Sequence, residues 1–222
     1  MGEAGAAARR GQVGARGRID KRQAILDAAL TVFAREGYAQ AGMDVVAAEA
    51  GVAKATVYNH FHDKENLLRQ TIAALSDQVL AENLGVVGRL ADQGEDLRDL
   101  LEDVGLRLLR CYCADQSWAL RRLLSAEIVQ FPDLLDIVHG RAADPVTEAL
   151  ADRLARLTVA GRLSTRDPLM AAEQFCSLLT GPMDKRARLG TRQVPDDELR
   201  AVARAAVDTF LQAFAAKPAR NG

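Results

Sequence analysis

Hydrophobic residues recur along most of the chain at the three- and four-residue spacing of one helix face. The first such stripe consists of Ile25, Ala29, Val32 and Phe33. It is followed by Gly37, a residue that readily adopts the left-handed conformation found at helix C-termini. We therefore predict a first helix that begins near Arg18. Residues 1–17 are small, glycine-rich and basic, and we predict that they form a disordered tail.

Two short helices are predicted next, at 43–50 and 53–60, with Gly51 between them. The first of these turns four apolar residues inward: Met43, Val46, Ala47 and Ala50. Three short helices with a glycine-centred turn between the second and third are the outline of a helix-turn-helix unit. We place the motif at about residues 42–61, within an N-terminal domain that spans residues 18–66.

The rest of the chain has the pattern of longer helices and lacks the alternation typical of strands. The predicted ranges are 64–82, 95–114, 116–130, 133–160, 167–180 and 196–215. Pro145 should kink the fourth of these helices or start a new one. Asp167 should cap a helix that has Pro168 at its first position. We predict an all-α fold, with a larger C-terminal helical bundle at residues 67–222.

Composition and charge are compatible with this fold and with a DNA-binding N-terminus. The chain is 49% hydrophobic, which is enough for a substantial core. Residues 1–69 carry ten basic and eight acidic side chains, whereas the remainder carries nineteen and twenty-two. A basic arm can contact phosphates, although it can also serve only to keep the protein in solution.

The sequence predicts a cytoplasmic protein without a membrane partner. Three cysteines, Cys111, Cys113 and Cys176, show no disulfide-framework spacing, which favours a reducing compartment. No apolar run reaches the roughly 18–20 residues of a membrane span, and no secretory signal is apparent. Cys111 and Cys113 lie about 200° apart around a helix, so they cannot jointly chelate a metal. We expect no metal site and no cofactor.

The helix at 53–61 is predicted to present a polar face to DNA. Val57 and Phe61 should point inward together with Ala53. The opposite face carries Lys54, Ala55, Thr56, Tyr58 and Asn59. Lysine and asparagine can read base edges, threonine and tyrosine can bind phosphate oxygens, and alanine permits close approach to the groove. Any short amphipathic helix also shows a polar face, so this pattern alone is not specific.

The run AAEAGVAKATVYNHFHDKENLL resembles the helix-turn-helix signature of the TetR family of regulators, over about residues 18–68. The resemblance implies that six residues touch DNA: Lys54, Ala55, Thr56, Tyr58, Asn59 and His60. It also implies that Lys64 meets a phosphate. Gly42 and Ala53 depart from the family pattern, since a hydroxyl residue usually caps each of the two helices there. Two phosphate contacts of the family are therefore in doubt.

Residues 118–181 resemble the ligand domain of an AefR-like TetR subgroup. The landmarks are Arg122, Glu127, Phe131-Pro132-Asp133, Gly161-Arg-Leu163, Asp167-Pro168, Ala171-Ala172 and Gln174-Phe175. The family resemblance implies a homodimer built from the last two long helices. The predicted interface comprises Leu169, Ala172, Cys176, Leu179, Ala203, Ala206 and Phe210, although this stripe can also be intrachain core. Two half-sites about 34–36 Å apart would supply the needed affinity.

A small-molecule pocket is expected among the helices from 95 to 181. The candidate lining residues are Tyr112, Trp118, Phe131, His139, Phe175 and Met183, and each can equally be a core residue. The expected partners are thus a palindromic double-stranded DNA operator, a small-molecule effector and a second copy of the chain. By analogy with the family, the effector should release a repressor from its operator.

Two other classes of function, an enzyme and a helical scaffold, have less support in the sequence. An enzyme is disfavoured because no catalytic motif is present: Gly37 and Gly42 begin a P-loop spacing, but Met43-Asp44 follows where Lys-Ser/Thr is required. A helical scaffold that has lost DNA affinity is the other alternative, and the departures at Gly42 and Ala53 favour it. Salt-dependent DNA binding distinguishes a regulator from this scaffold.

Overall fold

The computed structural model describes residues 3–90 and 96–216, with side chains from Asp20 onward. Eleven helices are found in these ranges: α1 (Glu3–Glu36), α2 (Met43–Glu49), α3 (Lys54–Phe61), α4 (Lys64–Val87), α5 (Leu97–Tyr112), α6 (Asp115–Glu127), α7 (Asp133–Val138), α8 (Asp144–Val159), α9 (Pro168–Thr180), α10 (Met183–Arg186) and α11 (Asp196–Phe214). The predicted all-α fold is confirmed. None of these helices is both long and apolar enough to cross a bilayer.

The chain divides into two compact units. Unit 1 consists of Met1–Ala74 together with Leu123–Leu134, and unit 2 consists of Leu75–Arg122 together with Leu135–Gly222. The predicted boundary after residue 66 lies eight residues before the point at which the chain leaves unit 1. It falls inside α4, where an uninterrupted helical pattern gives no sign of a domain border. The return of Leu123–Leu134 to unit 1 was also not predicted.

The first helix is longer than its sequence pattern suggested. α1 begins at Glu3, whereas residues 1–17 were predicted to be a disordered tail. Alanine and arginine are strong helix formers, and residues 3–10 contain four alanines and two arginines, which accounts for the difference. The predicted basic arm comprises Arg9, Arg10, Arg16, Arg18, Lys21 and Arg22. The side chains of its first four members lie outside the described residues, whereas Lys21 and Arg22 are described.

The core of unit 1 is built from the predicted apolar stripes. Ile25, Ala29 and Val32 are fully buried on α1, and Phe33 is 2% exposed. α2 contributes three more buried residues, Met43, Val46 and Ala47. Ala50, predicted to face inward, is only half-buried because α2 ends at Glu49. Gly37 has a φ of +76° and ends α1 as expected.

In unit 2, α5 packs against α9 and α11, and α8 packs against α9. The rings of Phe175 and Phe210 meet edge-to-face at 5.0 Å in its core. The predicted helix at 133–160 is interrupted: a π-helical turn at His139–Ala143 joins α7 to α8. Pro145 explains this break because it has no backbone N–H to donate to the preceding turn. α10 is a single turn and was not predicted.

Helix capping differs from one helix to another. The Asp96 carboxylate accepts hydrogen bonds from the backbone N–H groups of Arg98 and Asp99 at the start of α5. Asp167 accepts from the Met170 N–H and caps α9 as predicted. By contrast, α2 and α3 begin after Gly42 and Ala53, whose side chains provide no capping acceptor. The two helices of the helix-turn-helix, α2 and α3, therefore lack the stabilisation that a side-chain N-cap provides.

Replacing Ala53 with serine should stabilise the protein. Ala53 already has the extended φ and ψ of −69° and 144° that capping requires, so the new hydroxyl can accept from the first turn of α3. We expect Ala53→Ser to raise the free energy of unfolding by about 0.5–1 kcal/mol, measured by chemical denaturation. Ala55→Ser, two residues into the helix, is the control and should not stabilise. Equal gains in both variants would refute the capping explanation.

Candidate nucleic-acid interface

The turn between α2 and α3 is shaped by Gly51, which has a φ of +64°. This conformation is strained for side-chain-bearing residues and easily adopted by glycine. The Val52 N–H donates to the Ala47 carbonyl at 3.0 Å and closes the turn. α3 therefore starts directly after a short, hydrogen-bonded connection.

α3 buries one face and exposes another. Val57 and Phe61 are fully buried, as predicted. Ala53, predicted to lie with them, is exposed because it precedes the helix with extended backbone. Four of the residues predicted to touch DNA are exposed, namely Lys54, Ala55, Tyr58 and Asn59, while Thr56 and His60 are half-buried. The structure thus gathers cationic, aromatic hydroxyl and carboxamide groups on one accessible surface.

Contacts around Phe61 set the end of α3. The Arg22 guanidinium lies 5.5 Å from the centroid of the Phe61 ring, and Arg22 Nη2 donates to Gln70 Oε1 at 2.8 Å. The Asn66 carboxamide donates to the Phe61 carbonyl at 2.9 Å. Asp63 Oδ1 in turn accepts from the Asn66 backbone N–H at 2.7 Å, which caps α4. These bonds fix α3 relative to α1 and α4.

Lys64 has an intramolecular partner in addition to its predicted phosphate role. Its Nζ donates to the Ala39 carbonyl at 3.0 Å and lies 4.6 Å from the centroid of the Tyr38 ring. An ammonium group carries three N–H donors, so this bond leaves donors for a phosphate. The side chain also ties the start of α4 to the loop between α1 and α2.

An aromatic and ionic cluster attaches the segment Leu123–Leu134 to the rest of unit 1. The rings of Tyr38 and Phe131 meet edge-to-face at 5.1 Å. Arg69 lies 5.4 Å from the centroid of the Phe131 ring, and its Nε donates to Asp133 Oδ2 at 2.7 Å. This hydrogen bond lowers the pKa of the Asp133 carboxyl. We call these four residues the Tyr38 cluster; it stabilises the unit that carries α3.

The predicted effector-lining residues are not gathered into one site. Phe131 belongs to the Tyr38 cluster in unit 1, and Phe175 is fully buried in the core of unit 2. Met183 is also fully buried in unit 2. His139 is exposed, with its Nδ1 3.5 Å from Asp144 Oδ1. A lone aromatic or histidine in a sequence does not reveal which neighbours it will have in the fold.

Tyr112 and Trp118 are the two candidates that do lie together, with ring centroids 5.8 Å apart. Arg121 stacks on both, 3.8 Å from the Tyr112 ring centroid and 3.9 Å from that of Trp118. Burial lowers the pKa of Arg121, whose Nη2 donates to the Tyr112 carbonyl at 2.7 Å. Sequence reasoning missed Arg121, although its position three residues after Trp118 places both on one helix face.

The predicted dimer stripe is largely intrachain core. Ala172, Leu179 and Ala203 are at most 1% exposed and pack within unit 2. Cys176 is half-buried, and burial raises the pKa of its thiol to about 11. Leu169 is exposed. The sequence shows that one face of each helix is apolar, and this face is the one that packs inward.

Two open grooves are lined mainly by residues of α9 and α11. The first, about 250 Å³, is lined by Leu178, Pro182, Arg186, Ala201, Val202, Ala205, Ala206 and Thr209. The second, about 360 Å³, is lined by Gln174, Ser177, Leu178, Thr209, Phe210, Ala213 and Phe214. Leu178 and Thr209 line both. Ala206 and Phe210, from the predicted interface, form part of the groove floors.

The residues described here offer no group of three or more His, Cys, Asp or Glu side chains that could bind a metal ion. The three cysteines are free thiols. The polar face of α3 therefore remains the surface with the most definite chemistry. Its lysine, phenol and carboxamide are groups that form hydrogen bonds with phosphates and base edges.

Comparison with known proteins identifies two family domains in the chain. Residues 25–71 match the bacterial regulatory proteins of the tetR family. Residues 99–216 match the C-terminal domain of AefR-like transcriptional repressors, and this match alone spans more than half of the chain. Both agree with the resemblances seen in the sequence.

Two of the relatives that the chain matches are HTH-type transcriptional repressors. The HTH-type transcriptional repressor AcnR of Corynebacterium diphtheriae is 30% identical over 155 residues, which cover 67% of this chain and 71% of AcnR. The HTH-type nicotine-responsive transcriptional repressor HdnoR of Paenarthrobacter nicotinovorans is 31% identical over 86 residues, 39% of this chain and 42% of HdnoR. For HdnoR and two further curated relatives, the match spans only 26–42% of their length.

A solved structure extends the likeness over nearly the whole fold. The crystal structure of a TetR-family transcriptional regulator from Mesorhizobium loti has a TM-score of 0.82 and 28% identity. The alignment covers 89% of this chain and 98% of that protein. This chain belongs to the TetR family of bacterial regulatory proteins, which are DNA-binding transcriptional regulators and not enzymes.

Proposed function

We propose that this protein is a homodimeric repressor that binds a palindromic operator through α3 of each copy and is released by a small-molecule effector bound in unit 2. The observation that carries the proposal is the exposed polar face of α3 above a fully buried Val57 and Phe61. The repressors AcnR and HdnoR among its relatives support the direction of regulation, and the nicotine response of HdnoR supports an effector.

Within this proposal, the residues of α3 have different tasks. Lys54 and Asn59 contact base edges in the major groove, and the small side chain of Ala55 permits close approach. Tyr58, which is 42% exposed, donates its hydroxyl to a phosphate. The half-buried Thr56 and His60 contact DNA at the edge of this face. Lys64 adds a phosphate contact through the ammonium N–H groups that do not bond to the Ala39 carbonyl.

The two grooves between α9 and α11 are the proposed dimer surface. Leu178 and Thr209 line both grooves, so a second copy seated there would cover them together. A two-fold interface of this kind places the same surface of both copies in contact. The dimer would present two recognition helices to half-sites about 34–36 Å apart, which single copies cannot do.

Release of the operator requires only a modest coupling between effector and DNA. α4 begins at Lys64 in unit 1 and ends at Val87 in unit 2, so one helix carries residues of both units. An effector that favours another position of this helix would alter the spacing of the recognition helices. A coupling free energy of about 1–3 kcal/mol is sufficient to change operator affinity 5- to 150-fold.

Substitutions on α3 should separate affinity from specificity. We expect Tyr58→Ala to weaken binding to all duplexes and to make the slope of log K against log salt less negative by about 0.9, because one phosphate contact is lost. Asn59→Ala should instead reduce discrimination among operator variants, at a cost of about 1–3 kcal/mol for the preferred base. Gel shifts over a salt series, on operators selected from random DNA, measure both effects.

Thr31→Ala on the exposed surface of α1 is the matched control and should change neither quantity. If Asn59→Ala leaves discrimination among operator variants unchanged, the base-reading role of Asn59 is wrong. If the wild-type protein ignores every duplex at low ionic strength, the protein is a helical scaffold and the whole proposal fails.

A charge placed in the grooves should abolish the dimer. We expect Leu178→Glu to convert the protein to single chains, because two carboxylates would be brought together in a desolvated interface. Light scattering after size-exclusion chromatography measures the mass. Val159→Glu is the control for adding a charge to an exposed apolar site, because Val159 is 91% exposed and lines neither groove. If the Leu178→Glu protein stays dimeric, the grooves between α9 and α11 are not the dimer interface.

A further inference from the structure

The segment between α9 and α11 concentrates positive charge in unit 2, whereas the proposed DNA-contacting residues belong to unit 1. Residues 185–192, KRARLGTR, contain four basic side chains and no acidic one. All four line an open cleft of about 730 Å³. Its lining residues are Gly181, Pro182, Lys185, Arg186, Arg188, Arg192 and Glu198.

The cleft keeps most of this charge unneutralised. Glu198 accepts from Arg186 Nη1 at 2.9 Å and from Arg192 Nη2 at 2.8 Å. The hydrogen bond from Arg192, and to a smaller extent that from Arg186, lowers the pKa of Glu198. The Glu198 carboxylate therefore stays ionised. Lys185 and Arg188 are exposed, and neither has an acidic partner in the described part of the chain. Four cations and one carboxylate leave a net charge of +3.

The loop that carries these cations has a defined position. Arg188, Leu189 and Gly190 have consecutive φ values of +48°, +55° and +82°. Gly190 lies against α6, where an added Cβ would come within 2.5 Å of Trp118 Cγ. Arg192 Nη1 also donates to the Arg186 carbonyl at 2.9 Å. Packing and hydrogen bonds thus organise the loop before any ligand arrives.

The chemistry of the cleft selects its ligand. Its volume lies within the roughly 300–1,000 Å³ typical of small-molecule sites, but its lining is cationic, whereas most such sites are apolar. Guanidinium groups match phosphate oxygens in geometry and charge, and a lysine adds a further point charge. We infer that this cleft binds a small molecule that carries a phosphate or diphosphate group. The inference that the cleft binds an anion does not depend on the proposed function. The further step, that this anion is the effector, rests on the proposed function.

Inorganic pyrophosphate is the probe for the cleft. The purified full-length protein is titrated at low ionic strength by calorimetry and by fluorescence of Trp118, the single tryptophan of the chain, which contacts Gly190. We expect saturable binding that is tighter for pyrophosphate than for orthophosphate and at least tenfold tighter than for benzoate, a singly charged aromatic anion. Absence of saturable pyrophosphate binding, or benzoate binding of equal strength, overturns the inference.

Variants locate the binding to the cleft. Arg188→Gln and Lys185→Gln should each weaken pyrophosphate binding about tenfold, since each removes a charge-assisted hydrogen bond. Arg188→Lys should recover part of the loss. Both side chains are exposed, so thermal unfolding should be unchanged. Arg166→Gln, an exposed arginine outside the cleft, is the control; an equal loss in this variant means unspecific charge screening and overturns the inference.

Gel shifts then separate the inference from the proposed function. Without pyrophosphate, Arg188→Gln should bind the operator as tightly as the wild type. A loss of DNA affinity in this variant would make the cleft a DNA-backbone site and overturn the inference. If pyrophosphate binds but leaves operator affinity unchanged, the anion site stands, and the proposed link between this cleft and operator release fails.

Discussion

The orientation of α3 depends on the burial of two side chains. Val57 and Phe61 lie four residues apart and are both fully buried, so one face of this eight-residue helix must meet α1 and α2. Burying each such side chain contributes about 1.5–3 kcal/mol, which outweighs the weak intrinsic stability of so short a helix. Turning the helix over would instead bury Lys54 and Asn59 without partners. The outward polar face is therefore a consequence of the core.

This core is completed by residues from far along the chain. In the Tyr38 cluster, Phe131 contacts Tyr38 and Asp133 bonds to Arg69. Arg69 and Asp133 are 64 residues apart in the sequence. The guanidinium of Arg69 meets both an aromatic face and a carboxylate. Unit 1 is thus more than the first three helices, and its stability depends on a segment that the chain reaches only after passing through unit 2.

Unit 2 presents two surfaces of different chemistry around α9 and α11. The grooves lined by Leu178 and Thr209 are largely apolar, which suits a second protein surface. The cleft lined by Arg188 and its neighbours is cationic, which suits a small anion. Pro182 and Arg186 line both the cleft and the first groove, so a ligand in the cleft would lie beside the proposed dimer surface. This adjacency provides a short route by which anion binding could influence the dimer.

The sequence by itself determined the local features of this protein. The apolar stripe of α1, the turn at Gly51 and the Asp167 cap could all be predicted, because helix periodicity, left-handed backbone and capping depend on residues within a few positions of each other. The buried side of α3 and the resemblance to the family both followed from one continuous run of residues, 47–68.

Only the tertiary structure decided which distant residues meet. It placed Phe131 beside Tyr38 in unit 1, and it buried Ala172 and Leu179 in the core of unit 2. It also aligned the cations of residues 185–192 along one cleft. The period of a single helix shows that a face is apolar but not which neighbour covers it. That choice depends on the path of the whole chain.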